Sequence, residues 1–198
     1  MRIEPSVDLV AARSDLPRMS PEQVRQVLFE WFSRKNAATI VFRESVDPAN
    51  DPDDSYVVVY EAVFEPTTLD QARVELSVTT DGCVAIGLET RERIAARLGV
   101  KNRRSGFAAG HEPYPLSEQG LFAILDVIAK GKIAIPTKVL PWIGLGPFGV
   151  GLFKALVMPE SLETLVANGY GPVTWLQAAK QLEFSGGDHR LLHFRPWV

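Results

Sequence analysis

Three histidines offer the chain its most obvious chance of chemistry: His111, His189 and His193. His189 and His193 stand four residues apart, Asp188 precedes them, and Glu112 follows His111. Imidazole and carboxylate are the ligand types a zinc-like ion takes. On a helix the His189–His193 pair would lie one turn apart; on a strand both would share a face. Ser185-Gly186-Gly187-Asp188 reads as a turn and the residues after it as a strand. No glutamate stands between the two histidines as in the helical zinc-protease pattern. The candidate metal set is therefore His111, His189 and His193, with Asp188 and Glu112 beside it. It requires a fold that carries His111 to the other two. The plainer reading is a surface turn followed by a strand.

Other patterns are weaker. Gly144, Gly146 and Gly149 match a dinucleotide fingerprint, but Pro141 interrupts the approach and no second strand with an acid follows. No cofactor is expected. Asp47, Asp51, Asp53 and Asp54 form an acidic loop with Pro48 and Pro52. It lacks the glycine and terminal glutamate of a calcium loop. Its functional reading is a docking surface for a basic partner. Arg91, Arg93, Arg97, Lys101, Arg103 and Arg104 are read as a solvated face, partly neutralised by Glu89 and Glu92. Cys83, the only cysteine, rules out an intrachain disulfide and reads as a small core residue. No serine sits in a nucleophile-elbow pattern.

Residues 139–158 are the most apolar stretch, with four glycines, two prolines and Lys154 as its one charge. Twenty residues can span a bilayer, but glycine and proline at this density break a helix and leave backbone groups unsatisfied in lipid. The expectation is a glycine-punctuated crossing packed between helices. Trp142, Phe148 and Phe153 would then anchor a protein partner wherever the fold leaves them uncovered.

These residues need a scaffold, and the pattern supplies one. Ser20-Pro21-Glu22-Gln23 is a capping box with proline in the first turn. Val24, Val27, Leu28, Trp31 and Phe32 follow at helical spacing, so a helix is expected to about Lys35. Strands are expected over 38–43 and 56–65, paired antiparallel across the acidic loop. A hairpin follows over 73–88, turning at Thr80-Asp81-Gly82. A short helix is expected over 89–98 with Gly99 as its stop. Residues 100–116 read as irregular with a short strand near Phe107. Ser117 caps a helix to Lys130 with apolar residues on more than one side. A short strand over 133–135, helices over 159–167 and 172–182, and a terminal strand over 190–197 complete the list. Residues 1–19 read as an extended arm or an added edge strand.

The 198 residues, 46% apolar and 23% charged, suffice for one substantial core. The expected fold is a single α+β domain over 1–198, an antiparallel sheet of about four to six strands packed by several helices. A net charge of −3 gives no electrostatic reason to bind nucleic acid. The N-terminus lacks an apolar signal core, so a bacterial cytoplasmic protein is expected. The functional expectation is a non-enzymatic protein-binding domain, of the kind an immunity or antitoxin-type protein uses to occlude a toxin. The alternatives are a metal-assisted enzyme built on the His/Asp/Glu cluster and a membrane-associated factor using 139–158.

Overall fold

Helix α1, Pro21–Ser33, begins where the capping box places it. The Ser20 hydroxyl accepts from the Gln23 amide, and the Gln23 side chain accepts from the Ser20 amide at 2.7 Å. The computed structural model describes residues 18–34, 38–44, 57–99, 106–138, 154–178 and 189–197. The helix buries Val24, Val27, Leu28 and Trp31, the stripe read from the sequence. It ends at Ser33, two residues before the expected end, with Arg34 as its C-cap.

Five antiparallel strands run in sequence order as a meander: β1 Ala38–Glu44, β2 Val58–Pro66, β3 Val74–Thr79, β4 Val84–Thr90 and β5 Phe107–Tyr114. Alternation decides which face is buried. Tyr60, Ala62 and Phe64 on β2, Val74, Leu76 and Val78 on β3, and Val84, Ile86 and Leu88 on β4 all face the core. The opposite face of β3 and β4 is made of Glu75, Ser77, Ala85 and Gly87. The register sets Glu75 against Gly87 and Ser77 against Ala85.

Helix α2, Arg91–Leu98, is capped by Thr90 and stopped by Gly99 in the left-handed region. It starts two residues later than the expected 89. Glu89 belongs to the end of β4, wholly buried at φ 55°. Its carboxylate takes the Arg93 guanidinium at 2.7 Å, and its own amide donates to the Arg73 carbonyl. Those two attachments hold a kink that the helical pattern of 89–98 concealed.

Helix α3, Glu118–Ala129, is capped by Ser117 and buries seven residues around most of its circumference. Its Asp126 accepts from Trp31 Nε1 at 2.9 Å, joining it to α1. Then come β6 Ile133–Lys138, β7 Ala155–Val157, helix α4 Pro159–Ala167, a 3-10 turn Val173–Trp175, β8 Leu176–Ala178 and β9 His189–His193. The four short strands form a second sheet in the order β8-β7-β6-β9. Strand β7 pairs parallel with β8 and antiparallel with β6.

Three expectations are corrected here. Residues 172–182 do not form a helix in their described part, 172–178. Val173 and Thr174 are β-branched, Trp175 is locked against Tyr170, and β7 offers a free edge to Leu176–Ala178. Residues 155–157 are a buried strand, so the elements flanking the glycine-rich stretch are β6 and β7, which pair with each other, not two helices. The strand near Phe107 spans eight residues, not a short fragment.

One apolar cluster takes side chains from both sheets and from α1, α2, α3 and α4, so the fold is one α+β domain. Trp197 closes the seam. Its ring meets Trp31 and Phe64 at 6.0 and 5.7 Å, and its Nε1 donates to the Ala72 carbonyl at 3.1 Å.

Candidate functional site

The uncovered face of β3 and β4 is flat because its side chains are small. Ser77, Ala85 and Gly87 make a bed with almost no relief. Strand β5 then approaches β4 closely: a Cβ on Gly110 would lie 2.2 Å from the Ile86 carbonyl oxygen. Only glycine allows that distance. Phe107 lays its ring on Gly87, where a Cβ would come within 2.6 Å of it. On the far side of β5, the chain after α4 turns through Tyr170, Gly171 and the 3-10 segment, and Tyr114 rests on Gly171 in the same way.

The result is a cleft of about 740 Å³, within the size range of small-ligand pockets. Its floor is Ser77, Ala85 and Gly87, and its walls are Phe107, Tyr114 and Trp175. Glu75 stands at its border. Arg73 holds that carboxylate at 2.8 Å and Glu65 at 2.6 Å, so one guanidinium serves two carboxylates, and Glu112 also lines the cleft.

His111 is the polar group that distinguishes the cleft. Its ring packs against Tyr170 and Trp175, with centroids 5.9 and 6.0 Å away. Its Nδ1 lies 2.7 Å from the Glu112 carbonyl oxygen. A carbonyl only accepts, so Nδ1 carries the proton and Nε2 keeps a lone pair. Burial pushes the imidazole down to about 4, so the ring is neutral near pH 7. Nε2 is screened from solvent and has no hydrogen-bond partner. Behind it, Trp175 Nε1 donates to the Tyr170 hydroxyl at 3.0 Å, which fixes both rings. Burial also pushes the Tyr170 hydroxyl up, so it stays a neutral phenol.

The sequence-derived candidates are distributed as follows. His111 and His193 are not brought together. His111 packs beside Trp175, at the β8 edge of the second sheet, while His193 is exposed on β9, the opposite edge. Three strand spacings, about 14 Å, separate those edges. His189 opens β9 opposite Lys138. Among the described residues no group of three or more His, Cys, Asp and Glu is placed to hold a metal ion. Asp188, the acidic-loop residues Asp47, Asp51, Asp53 and Asp54, and the apolar anchors Trp142, Phe148 and Phe153 lie outside the described residues. Among the described residues no helix is long and apolar enough to cross a membrane.

The basic run resolves into structural work where it is described. Arg93 holds Glu89 and the carbonyls of Thr68 and Gln71. Arg97 donates to the His193 carbonyl at 2.6 Å and lies over the Phe194 ring. Cys83 is buried with its thiol donating to Asp81, and burial pushes its pKa up, which makes it a poor nucleophile.

Sequence reading missed the cleft residues Phe107, Tyr114, Tyr170 and Trp175. One signal was available. The outward positions of the 73–88 hairpin are small at Ser77, Ala85 and Gly87, which leaves a sheet face without cover of its own.

Fold and site together define a class: an α+β domain with a half-open aromatic cleft at one end of an antiparallel meander. Comparison with protein-family models, with curated proteins and with solved structures found no match.

Proposed function

We propose that the chain is a non-enzymatic binding domain and that the cleft beside His111 is its recognition site, taking a small, largely apolar ligand. The observation that carries this reading is the combination of a small-residue floor, Ser77, Ala85 and Gly87, with aromatic walls, Phe107, Tyr114 and Trp175. Apolar walls with few polar groups are the usual make-up of a ligand site. The His111 ring makes its one hydrogen bond to a backbone carbonyl, so the arrangement supports holding a molecule, and it pairs no base with a nucleophile. The test is fluorescence of 8-anilinonaphthalene-1-sulfonate, an apolar probe, with the native chain and with Ala85→Trp. The new indole fills the floor without entering the core. The probe is expected to brighten with the native chain and not with the variant. Equal brightening would refute the site.

A second reading keeps the protein partner, in an immunity or antitoxin-type role. The observation favouring it is that Val41 on β1, Val59 on β2 and Val57 just before β2 are exposed. Its test is co-purification with the product of an adjacent gene in the source genome. A complex whose association slows when Asp47, Asp51, Asp53 and Asp54 become Asn supports it. An unchanged rate removes the acidic loop from the reading.

A further inference from the structure

The charge around the cleft has one sign. Glu75 and Glu112 both line it, and among its described lining residues there is no lysine or arginine. His111 adds no charge, because its ring is neutral near pH 7. Buried Arg73 holds Glu75 but is shared with Glu65. Arg91 turns its Nε to the Phe107 carbonyl at 3.4 Å and is not part of the lining. The register sets the two carboxylates on opposite sides of the floor. Glu75 on β3 pairs with Gly87, the residue that carries the Phe107 ring. Between β4 and β5 the register slips from Val84–Tyr114 to Ile86–His111, so Ala85 meets two residues, Glu112 and Pro113. An occupant must therefore suit apolar rings and unmatched negative charge together. A hard metal ion needs a cage of oxygens, and among the described residues no group of three or more His, Cys, Asp and Glu is placed to supply one. A quaternary ammonium suits both. Its charge is spread over methyl groups that pack on rings, and the ring quadrupole attracts it. Carboxylates beside the rings add a coulombic attraction that a neutral molecule does not feel.

We propose that the ligand class of this cleft is a small organic cation of the quaternary-ammonium type, its methyl groups against the Phe107, Tyr114 and Trp175 rings and its charge offset by Glu75 and Glu112. The proposal rests on the cleft being the recognition site. It adds a positive charge to a largely apolar ligand, so the two can fail separately. The anilinonaphthalene probe reports the apolar walls, and the half-open cleft leaves its sulfonate in solvent. Two molecules equal in shape and different only in charge isolate what the carboxylates contribute. Choline and its carbon analogue 3,3-dimethylbutan-1-ol are such a pair.

The experiment titrates the full 15N-labelled chain with each of the two at pH 7 and low ionic strength, reading affinities from amide spectra. Choline is expected to bind about tenfold more tightly than the alcohol, the ratio that a cation over aromatic rings supplies. Raising the salt to about 0.5 M is expected to narrow that ratio, because the carboxylates are screened. Glu112 is exposed, so Glu112→Gln removes its charge without disturbing the core. That variant is expected to bind choline about threefold more weakly and the alcohol as before. Equal affinity of choline and the alcohol for the native chain overturns the requirement for charge. Unchanged choline affinity in Glu112→Gln overturns the pairing with Glu112. Binding of neither molecule, with anilinonaphthalene fluorescence still abolished by Ala85→Trp, overturns the ligand class and leaves the site standing. Binding of choline to Ala85→Trp as tightly as to the native chain overturns the site itself.

Discussion

At the scale of single residues, two buried ionisable groups, His111 and Glu89, lend themselves to direct tests. His111 has its pKa pushed down from 6.5 to about 4 by burial. Between those values the unfolded chain binds more protons than the folded one, so stability rises with pH across the window. The contribution is complete above pH 6.5 and is lost as pH falls toward 4. Its size is on the order of 2 kcal/mol, with allowance for the part of the ring that is exposed. Urea midpoints at pH 7 and pH 4.5 should show this fall in the native chain and a smaller one in His111→Phe. The same slope in both would remove His111 as the cause. Glu89 is the second case. It is wholly buried, burial pushes its pKa up, and Arg93 is its ion-pair partner. Arg93→Ala should cost about 3 kcal/mol in chemical denaturation, because it strands a buried carboxylate. A loss under 1 kcal/mol, about the worth of a surface pair, would show that Glu89 is neutral or rehydrated in the variant.

At the scale of elements, the starts of α1 and α3 were legible because capping is local. Ser20 and Ser117 each bond an amide three residues on, and a three-residue signal can be read from sequence. Ser117→Ala should therefore cost about 1 kcal/mol, read as a lower midpoint with an unchanged denaturant slope. The β3–β4 hairpin was legible for a similar reason, through strict alternation and a glycine turn. Strand β5 was not. Its sequence Phe-Ala-Ala-Gly-His-Glu-Pro-Tyr has neither alternation nor β-branched residues. What makes it a strand is the edge of β4, to which Gly110 allows unusually close approach. Gly110→Ala tests this directly. The added methyl meets a backbone oxygen and cannot rotate away, so the variant should lose about 2 kcal/mol or more and release amide protection along β5. Normal protection there would mean that the strands part without cost. Residues 173–178 were misread for the complementary reason. Apolar spacing fits a helix, but the unpaired edge of β7 is a tertiary fact absent from the segment itself.

At the scale of the whole molecule, the two sheets are one cooperative unit because the last residues return to the first sheet. Gln71 bridges to Arg195, and Trp197 sits among Trp31, Phe64 and the Ala72 carbonyl. Trp197→Ala should cost about 3–5 kcal/mol, the range for emptying an aromatic core site. It should also make the β6–β9 amides exchange ahead of the β2–β4 amides. The α+β class followed from composition and element order, but the cleft did not. It is assembled from β3, β4, β5 and the turn after α4, and each part is ordinary alone. A histidine next to a glycine carries no mark of an orphaned nitrogen until Tyr170 and Trp175 close over it.

The proposal that the cleft is a recognition site is tested most directly by amide spectra of the uniformly 15N-labelled chain titrated with 8-anilinonaphthalene-1-sulfonate. The predicted result is a set of shifts confined to the amides of Ser77, Ala85, Gly87, Gly110, His111 and Gly171, saturating with one affinity. Shifts that gather away from these residues, or no shifts at any accessible concentration, would contradict it.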